Sequence, residues 1–512
     1  MSGTSSVTVP GSLGTPPVTV SLGTGDILHL AEQIGSLLSS IQGAGGLQVT
    51  TVTGTSTLPA APSLTGTQSV NEVILAGSTA VNSTIPAGYN YVVNVDTSPV
   101  TLSGSSVDIV GGTVGSSYTV AGNSTIAATG GNNTVSASGT YELSFGPGNN
   151  LIAATGSGTI GTGAGNSTIT ASGNGNVIGT DSGNATVLLS GSNSVIYEGT
   201  GGLTAAVTGT GDAIGLYTGV AAVTLGGSGN TIFANSGPAS INDTGTGNVI
   251  GASSGPMTLF STGTNTSVFG GSGALSADME GTGAVIGLDG GPSNITLSGA
   301  GDRLYGGSGP LTLLANGGGT DTIGVSSGFA SINASGSTNL DVYGGSGPLT
   351  FVGGAGASSI FGGSGAVSLF GGSGGVISYV GEGSVLGSFS AGAGNETLNA
   401  AQSYGAVVAK VGSGADSIVG GAGADTLIGG VGSSTLTGGG GQNVFEFTFG
   451  SAGGGATITD FNANDTLILS GYGISSAPTT SSGGNTIISL NDGTKITFLN
   501  VASLNPNQIE FK

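Results

Sequence analysis

GNSTITASG at 165–173, GNVIGTDSG at 175–183, GNTIFANSG at 229–237 and GNVIGASSG at 247–255 share one nonapeptide beat, opening on Gly-Asn, closing on Gly and holding an aliphatic residue between, within a longer run summarised as G-x-x-x-[N/D]-x-[I/V/L]-x-G. GNSTIAATG at 122–130 and GNNTVSASG at 131–139 carry the same beat upstream. The aliphatic position recurs at Ile178, Ile214, Ile232, Ile250, Val268, Ile286, Leu304, Ile323, Val342, Ile360, Leu398 and Ile418, mostly at steps of 18 or 19 residues or small multiples of them. A fixed period of this length marks stacked coils. Each nonapeptide holds a short strand whose aliphatic residue points inward, then glycine-rich residues suited to the positive φ of a tight turn. Two nonapeptides make one coil of about 18 residues, and stacking buries apolar faces that no coil buries alone. The expected fold is all-β, a solenoid with one short amphipathic helix near its N-terminus.

Glycine fills 108 of 512 positions, without the G-X-Y spacing of collagen. Apolar residues make up 37% and charged residues 6%, which does not suit a solvated coil. With no cysteine, neither disulfides nor thiolate metal sites can form. A net charge of -21 repels phosphate backbones and anionic lipid, so nucleic acid is excluded as a partner. The start, MSGTSSVTVPGS, lacks the basic and apolar regions of a Sec signal, and no apolar run is long enough to span a bilayer, so no membrane insertion is expected.

Residues 1–70 read as a flexible or weakly extended segment rich in Ser, Thr, Gly and Pro, interrupted by a helix near 26–42. Ile27, Leu30, Ile34, Leu37, Leu38 and Ile41 share one helical face, with His29, Glu32, Gln33, Ser36 and Ser40 opposite. Asp26 can cap its start and Gly43 can end it, while Gly35 weakens it. The helix is expected either to fold over the first coil as a cap or to stand free as a handle. Residues 71–120 read as irregular N-terminal coils or a cap, and 121–410 as the degenerate solenoid.

The sequence GSGADSIVGGAGADTLIGG at 412–430 resembles the calcium-binding nonapeptide G-G-x-G-x-D-x-U-x of the RTX family of secreted bacterial proteins. Asp416 and Asp425 stand in the Asp place, Ile418 and Leu427 in the aliphatic place. The segment at 443–473 resembles the C-terminal cap of serralysin-type RTX domains, with Asp460 and Asp465 as its two acidic residues. The resemblance implies a parallel β-roll, calcium at 411–445, a β cap and uncleaved secretion signal at 446–512, and export by type I secretion machinery. It also implies ligands one coil apart: Asp425 facing Asn443, Asp416 facing Ser434, and carbonyls around Gly421 and Gly423 completing the shell.

Upstream the Asp place departs from the pattern, reading Asn176, Asn193, Asn230, Asn248, Thr266, Ala284 and Ser358, with Asp212, Asp302 and Asp321 as isolated acids. A neutral carboxamide is a weak calcium donor. Most of the coils are therefore expected to hold without metal, through backbone ladders, an aliphatic core and stacked Asn or Thr side chains. Asp302 and Asp321 remain candidate ligands, with solvated turn acids as the alternative for them and for Asp425.

Catalytic constellations are scarce. One histidine, His29, rules out H-E-x-x-H and leaves serine without another base. Arg303, Lys410, Lys495 and Lys512 are the whole basic supply, far apart in sequence. Asp278 with Glu280, or Asp181 with Glu198, are the arithmetically available carboxylate pairs, and turn acids are their ordinary reading. At 5% aromatic and without tryptophan, the chain offers little for a sugar-stacking cleft. The expectation is a non-enzymatic, calcium-binding structural protein of the cell surface or matrix that self-associates into a sheet, fibre or S-layer-like material. The alternatives are an adhesin or a polysaccharide or ice binder and, third, a carbohydrate-active enzyme. A surface polysaccharide is a further candidate partner.

Overall fold

Strands of three to six residues with alternating burial run through the chain, each followed by a glycine-rich turn. The computed structural model describes residues 5–9, 18–22, 26–77, 79–336, 339–381 and 387–512, with side chains described outside 5–9, 18–22 and 26–29. It divides into two units, Met1–Pro256 and Met257–Lys512. Each is a parallel β-solenoid in which successive strands alternate between two sheets, so that a coil gives one strand to each, about 22 turns in all among the described residues.

In the first unit, sheet 1 stacks Ile160, Ile178, Ile196, Ile214, Ile232 and Ile250 in one fully buried column. Sheet 2 supplies a buried column of Ile169, Val187, Ala205, Val223 and Ile241. In the second unit Val268, Ile286, Leu304, Ile323, Val342 and Ile360 form the sheet 1 column. The register then steps by two residues: Ile360 pairs Tyr379, whereas Ile377 begins the next column with Leu398, Ile418, Leu436 and Ile458. Each buried aliphatic contributes about 1.5–3 kcal/mol, a gain realised only once a neighbouring coil covers it.

The turn glycines correct one expectation. A column at Gly175, Gly211, Gly229 and Gly247 does have φ of 65–70°, with Asn193 at 56° in the same place. Two other columns are glycine for a different reason. A Cβ on Gly191, Gly209, Gly227 or Gly245 would lie 1.7–1.9 Å from the carbonyl oxygen one coil back. On Gly183, Gly201, Gly219 or Gly237 it would lie 1.8–2.2 Å from such an oxygen. Stacked backbones occupy the space of a side chain at both turns, which is why glycine fills a fifth of the sequence.

The N-terminal segment is more ordered than its composition implies. Ser5–Val9 pairs antiparallel with Val18–Leu22, and Leu47–Val52 is the first solenoid strand, pairing Val70–Leu75 in parallel. Coils already run through 71–120, with steps that vary from 16 to 19 residues. Helix α1 (Asp26–Gly43) neither caps the first coil nor stands free. Its Leu30, Ala31, Ile34 and Leu38 pack on the outer face of sheet 1, against the column Ile74, Val93, Val110 and Ala127. Contacts extend from Leu47–Val52 to Thr140–Phe145. An 18-residue helix is about 27 Å long, close to the ~24 Å covered by six adjacent strands, so α1 lies along the stack. Leu37 falls outside this stripe and is 48% exposed, while Gly35 is buried in it. Expectations for the side chains of Asp26, Ile27 and His29 lie outside the described residues. The missed signal was the strand VNEVIL, whose VIL run carries apolar residues to both faces, both of which are covered.

Glu72 sits on that outer face, fully buried, with both carboxylate oxygens unpartnered. Burial raises its pKa from 4.5 to about 8. Between those values the unfolded chain has released a proton that the folded chain keeps, so stability falls with rising pH by about 1.4 kcal/mol per unit from this group. Glu72→Gln is expected to remove that slope: near-neutral at pH 4, stabilising by several kcal/mol at pH 8. Denaturant melts at both pH values check it, and an unchanged pH profile would contradict it.

The C-terminal coils close differently. Thr479–Ser482, Asn485–Ser489 and Lys495–Phe498 form an antiparallel meander whose last strand joins Gly455–Ile458, and Ile509–Phe511 adds to the edge of sheet 2. Phe498 of the last strand packs edge-on against Phe461, which is tilted against Phe445.

Candidate metal centre

Side chains that enter the turns immediately before each strand reach the neighbouring coil's backbone. At the turn before the sheet 2 strands, Asp425 Oδ1 accepts the Val407 N–H at 2.7 Å, Asn443 Oδ1 accepts the Asp425 N–H at 3.0 Å, and Asp465 Oδ1 accepts the Asn443 N–H at 2.9 Å. The Asp425–Asn443 pairing that the resemblance implies is therefore present, and so is Asp416 opposite Ser434. Each second oxygen is held within its own turn: Asp425 Oδ2 by the Gly421 N–H at 2.7 Å, Asp416 Oδ2 by the Gly412 N–H at 2.8 Å, Asp465 Oδ2 by the Asn462 N–H at 2.9 Å. Asp425 is buried, so the solvated reading fails for it, and Asp416 is buried as well. Burial pushes the Asp425 carboxyl up, against the pull of the Val407 and Gly421 N–H groups. Asp460 is half-buried and caps the next turn with both oxygens, taking the Gly438 and Gly439 N–H groups at 2.8 and 2.7 Å.

The carbonyls of Gly421 and Gly423 point at the next coil, 2.3 and 2.2 Å from where Cβ atoms of Gly439 and Gly441 would stand. Gly421 O also accepts the Gly440 N–H at 2.8 Å.

Glu396 was missed in the sequence. Leu398 had been aligned as the aliphatic residue of GAGNETLNA at 392–400, which puts Glu396 in the Asp place, but coils of 20 and 21 residues hide the frame. Its N–H donates to Asp416 Oδ1 at 2.9 Å, and its own two oxygens are buried without partners. Burial and the neighbouring Asp416 carboxylate push its pKa up. The carbonyls of Gly392 and Gly394 are aimed at the next turn, each 1.8 Å from the Cβ places of Gly412 and Gly414.

This donor set fits calcium, which takes six to eight oxygens at flexible angles. Glu396 and Asp416 supply charge from adjacent coils and the glycine turns supply carbonyls. A carboxylate oxygen holding one N–H retains acceptor capacity, so Asp416 and Asp425 can serve both roles. Among the described residues no three acidic side chains converge, so carbonyls must provide most of the shell.

The mid-chain acids differ. In the first unit Ser194 Oγ, Asp212 Oδ1, Asn230 Oδ1 and Asn248 Oδ1 accept the N–H groups of Asn176, Ser194, Asp212 and Asn230 in turn. Ser194 thus holds the place assigned to Asn193. Asn230 and Asn248 also donate their amides to the Gly209 and Gly227 carbonyls, both at 3.1 Å. Asp212, and in the second unit Asp302 and Asp321, put an unpartnered, buried Oδ2 in that place. Asp302 Oδ1 accepts the Ala284 N–H at 2.8 Å and Asp321 Oδ1 the Asp302 N–H at 2.9 Å, so the two acids stack and neither is solvated. Burial raises Asp302 to about 6, opposed by the Ala284 N–H and reinforced by Asp321.

Stability from Asp302 is accordingly present below pH 4 and lost as pH rises through about 6. Asp302→Asn is expected to stabilise the metal-free protein at pH 7 by about 1–3 kcal/mol, since an amide there can donate as Asn230 and Asn248 do. If Asp302 held calcium instead, the same variant would lose stability in millimolar calcium, and melts with and without the ion separate the two.

Comparison with known families agrees with this geometry. The RTX calcium-binding nonapeptide repeat matches in four copies, at 343–375 and 411–445, in keeping with the RTX β-roll family. Such repeats bind calcium. The copies at 343–375 contain no acidic residue, so they keep the turn frame without its charge. No curated protein matches the chain. RTX repeats on a β-solenoid fit a secreted calcium-binding protein.

Proposed function

We propose that the protein is a non-enzymatic structural component of the cell surface or extracellular matrix, exported by type I secretion machinery and self-associating into a sheet, fibre or S-layer-like material. The observation that carries this reading is the uneven distribution of acids along the turn ladders. From Asn176 to Asn248 the ladder side chains are neutral apart from Asp212, whereas Glu396, Asp416, Asp425 and Asp465 all enter the C-terminal turns. A chain so built holds most of its coils without metal, and its C-terminal coils fold when calcium neutralises the buried acids, which couples folding to a calcium-rich exterior. Scattered basic residues and a single histidine supply no acid–base pair, which supports a role without turnover.

Electron microscopy of the full-length chain, stripped of calcium and then given millimolar calcium, tests the reading. Ordered sheets or fibres that need calcium are expected. Isolated particles in both conditions, or turnover of a polysaccharide, would overturn it.

A further inference from the structure

The outward positions of sheet 1 alternate in a way that no nine- or 18-residue repeat predicts. In the first unit one column reads Gly179, Tyr197, Gly215, Phe233, Gly251. In the second it reads Phe269, Gly287, Tyr305, Gly324, Tyr343, Phe361. Through most of each column aromatic and glycine alternate, one ring every second coil, so like rings stand about 10 Å apart. Tyr197, Phe233, Phe269 and Tyr305 are 57, 61, 52 and 53% exposed, among the most exposed large side chains of the protein. A hydrophobic ring left half in water on this many alternate coils has no role in the core.

Each isolated ring leans over the glycine of the next coil. A ring-edge carbon of Tyr197 lies 3.5 Å from the Cβ place of Gly215, and those of Phe233, Phe269 and Tyr305 lie 3.7, 3.6 and 3.8 Å from the Cβ places of Gly251, Gly287 and Gly324. The glycine gaps are thus covered by the protein's own rings, leaving no sockets for the rings of a second copy. The flanking column is uncharged in the first unit, reading Val177, Val195, Ala213, Thr231 and Val249, and carries only Arg303 and Asp341 in the second among the described residues.

We infer that this face binds an extended, neutral, β-linked polysaccharide. The axial C–H bonds of a β-linked pyranose form an apolar face that stacks on an aromatic ring, and in a 1,4-linked chain like faces recur at every second sugar, a step of the same length as two coils. A net charge of -21 disfavours an acidic polymer, while the uncharged flank suits a neutral one. This surface is separate from the calcium turns, and the inference stands whether or not the chain forms sheets or fibres. It also revises the expectation drawn from composition: aromatics are few, but the register gathers them on one face of each unit.

The test uses the full-length, calcium-loaded chain with microcrystalline cellulose and chitin as insoluble probes, cellohexaose and chitohexaose in calorimetry, and polygalacturonate as an anionic control. Binding to at least one neutral glycan is expected, reduced about tenfold or more by Tyr197→Ala/Phe233→Ala and by Phe269→Ala/Tyr305→Ala. Gly215→Val retains every ring and suits a strand, yet pushes the Tyr197 ring out of line, and should weaken binding several-fold with unchanged melting. Absence of binding to all four neutral probes, ring variants that bind like the parent, or equal binding of polygalacturonate would each overturn the inference. So would ring variants whose only effect is a lower sedimentation mass, which would assign the face to a second copy.

Discussion

Gly281→Ala is expected to cost more than about 4 kcal/mol and to melt the coils around it, a loss at the extreme of single substitutions. Its Cβ would stand 1.6 Å from the Gly263 carbonyl oxygen, and the Gly281 carbonyl itself lies 1.8 Å from the Cβ place of Gly299. Relief by moving one coil therefore drives that coil into the next, and packed backbones cannot absorb such a shift locally. Gly229→Ala is the proper comparison. Gly229 has φ of 65° and nothing within 4 Å of its Cβ place, so it loses only the αL preference, about 1–2 kcal/mol. Denaturant melts with hydrogen exchange around 263–299 read the difference, and equal costs for the two variants would refute close stacking as the reason for glycine.

Asp425→Ala is expected to destabilise the C-terminal coils even in chelator. It strands the Val407 and Gly421 N–H groups, each now bonded at 2.7 Å, at about 1–3 kcal/mol per orphaned donor. This substitution alone therefore cannot demonstrate metal binding. Glu396→Gln separates the two roles, because the buried Glu396 carboxylate accepts no well-formed hydrogen bond and faces the Asp416 carboxylate. Neutralising it should raise stability without calcium and shrink the gain that calcium brings, which follows the ratio of free ion to dissociation constant. Thermal melts of parent, Asp425→Ala and Glu396→Gln across a calcium titration check this. A calcium gain undiminished in Glu396→Gln would remove that residue from the ligand set.

The candidate centre was legible where coil length held constant. Between Asp425 and Asn443 the step is 18 residues, and the resemblance to the RTX repeat, with its ligands one coil apart, placed them opposite each other. Between Glu396 and Asp416 it is 20, and the count lost the acid with both oxygens unpartnered. Asn193 and Ser194 show the same sensitivity at one residue: a left-handed asparagine replaced the usual glycine and shifted the apparent frame.

The amino-acid sequence by itself determined the coil. Strand alternation has period two and the aliphatic beat a period near 18, and only parallel stacking of coils satisfies both while burying Ile178, Ile196, Ile214 and Ile232 on one another. Tertiary structure decided what the coil presents. That α1 lies along sheet 1 depends on Ile74, Val93, Val110 and Ala127 falling in one column, and that Tyr197 and Phe233 share a face depends on the same register. Residues 18 or 19 apart become neighbours only when the ladder is set, because neighbours in a solenoid are made by backbone hydrogen bonds between coils.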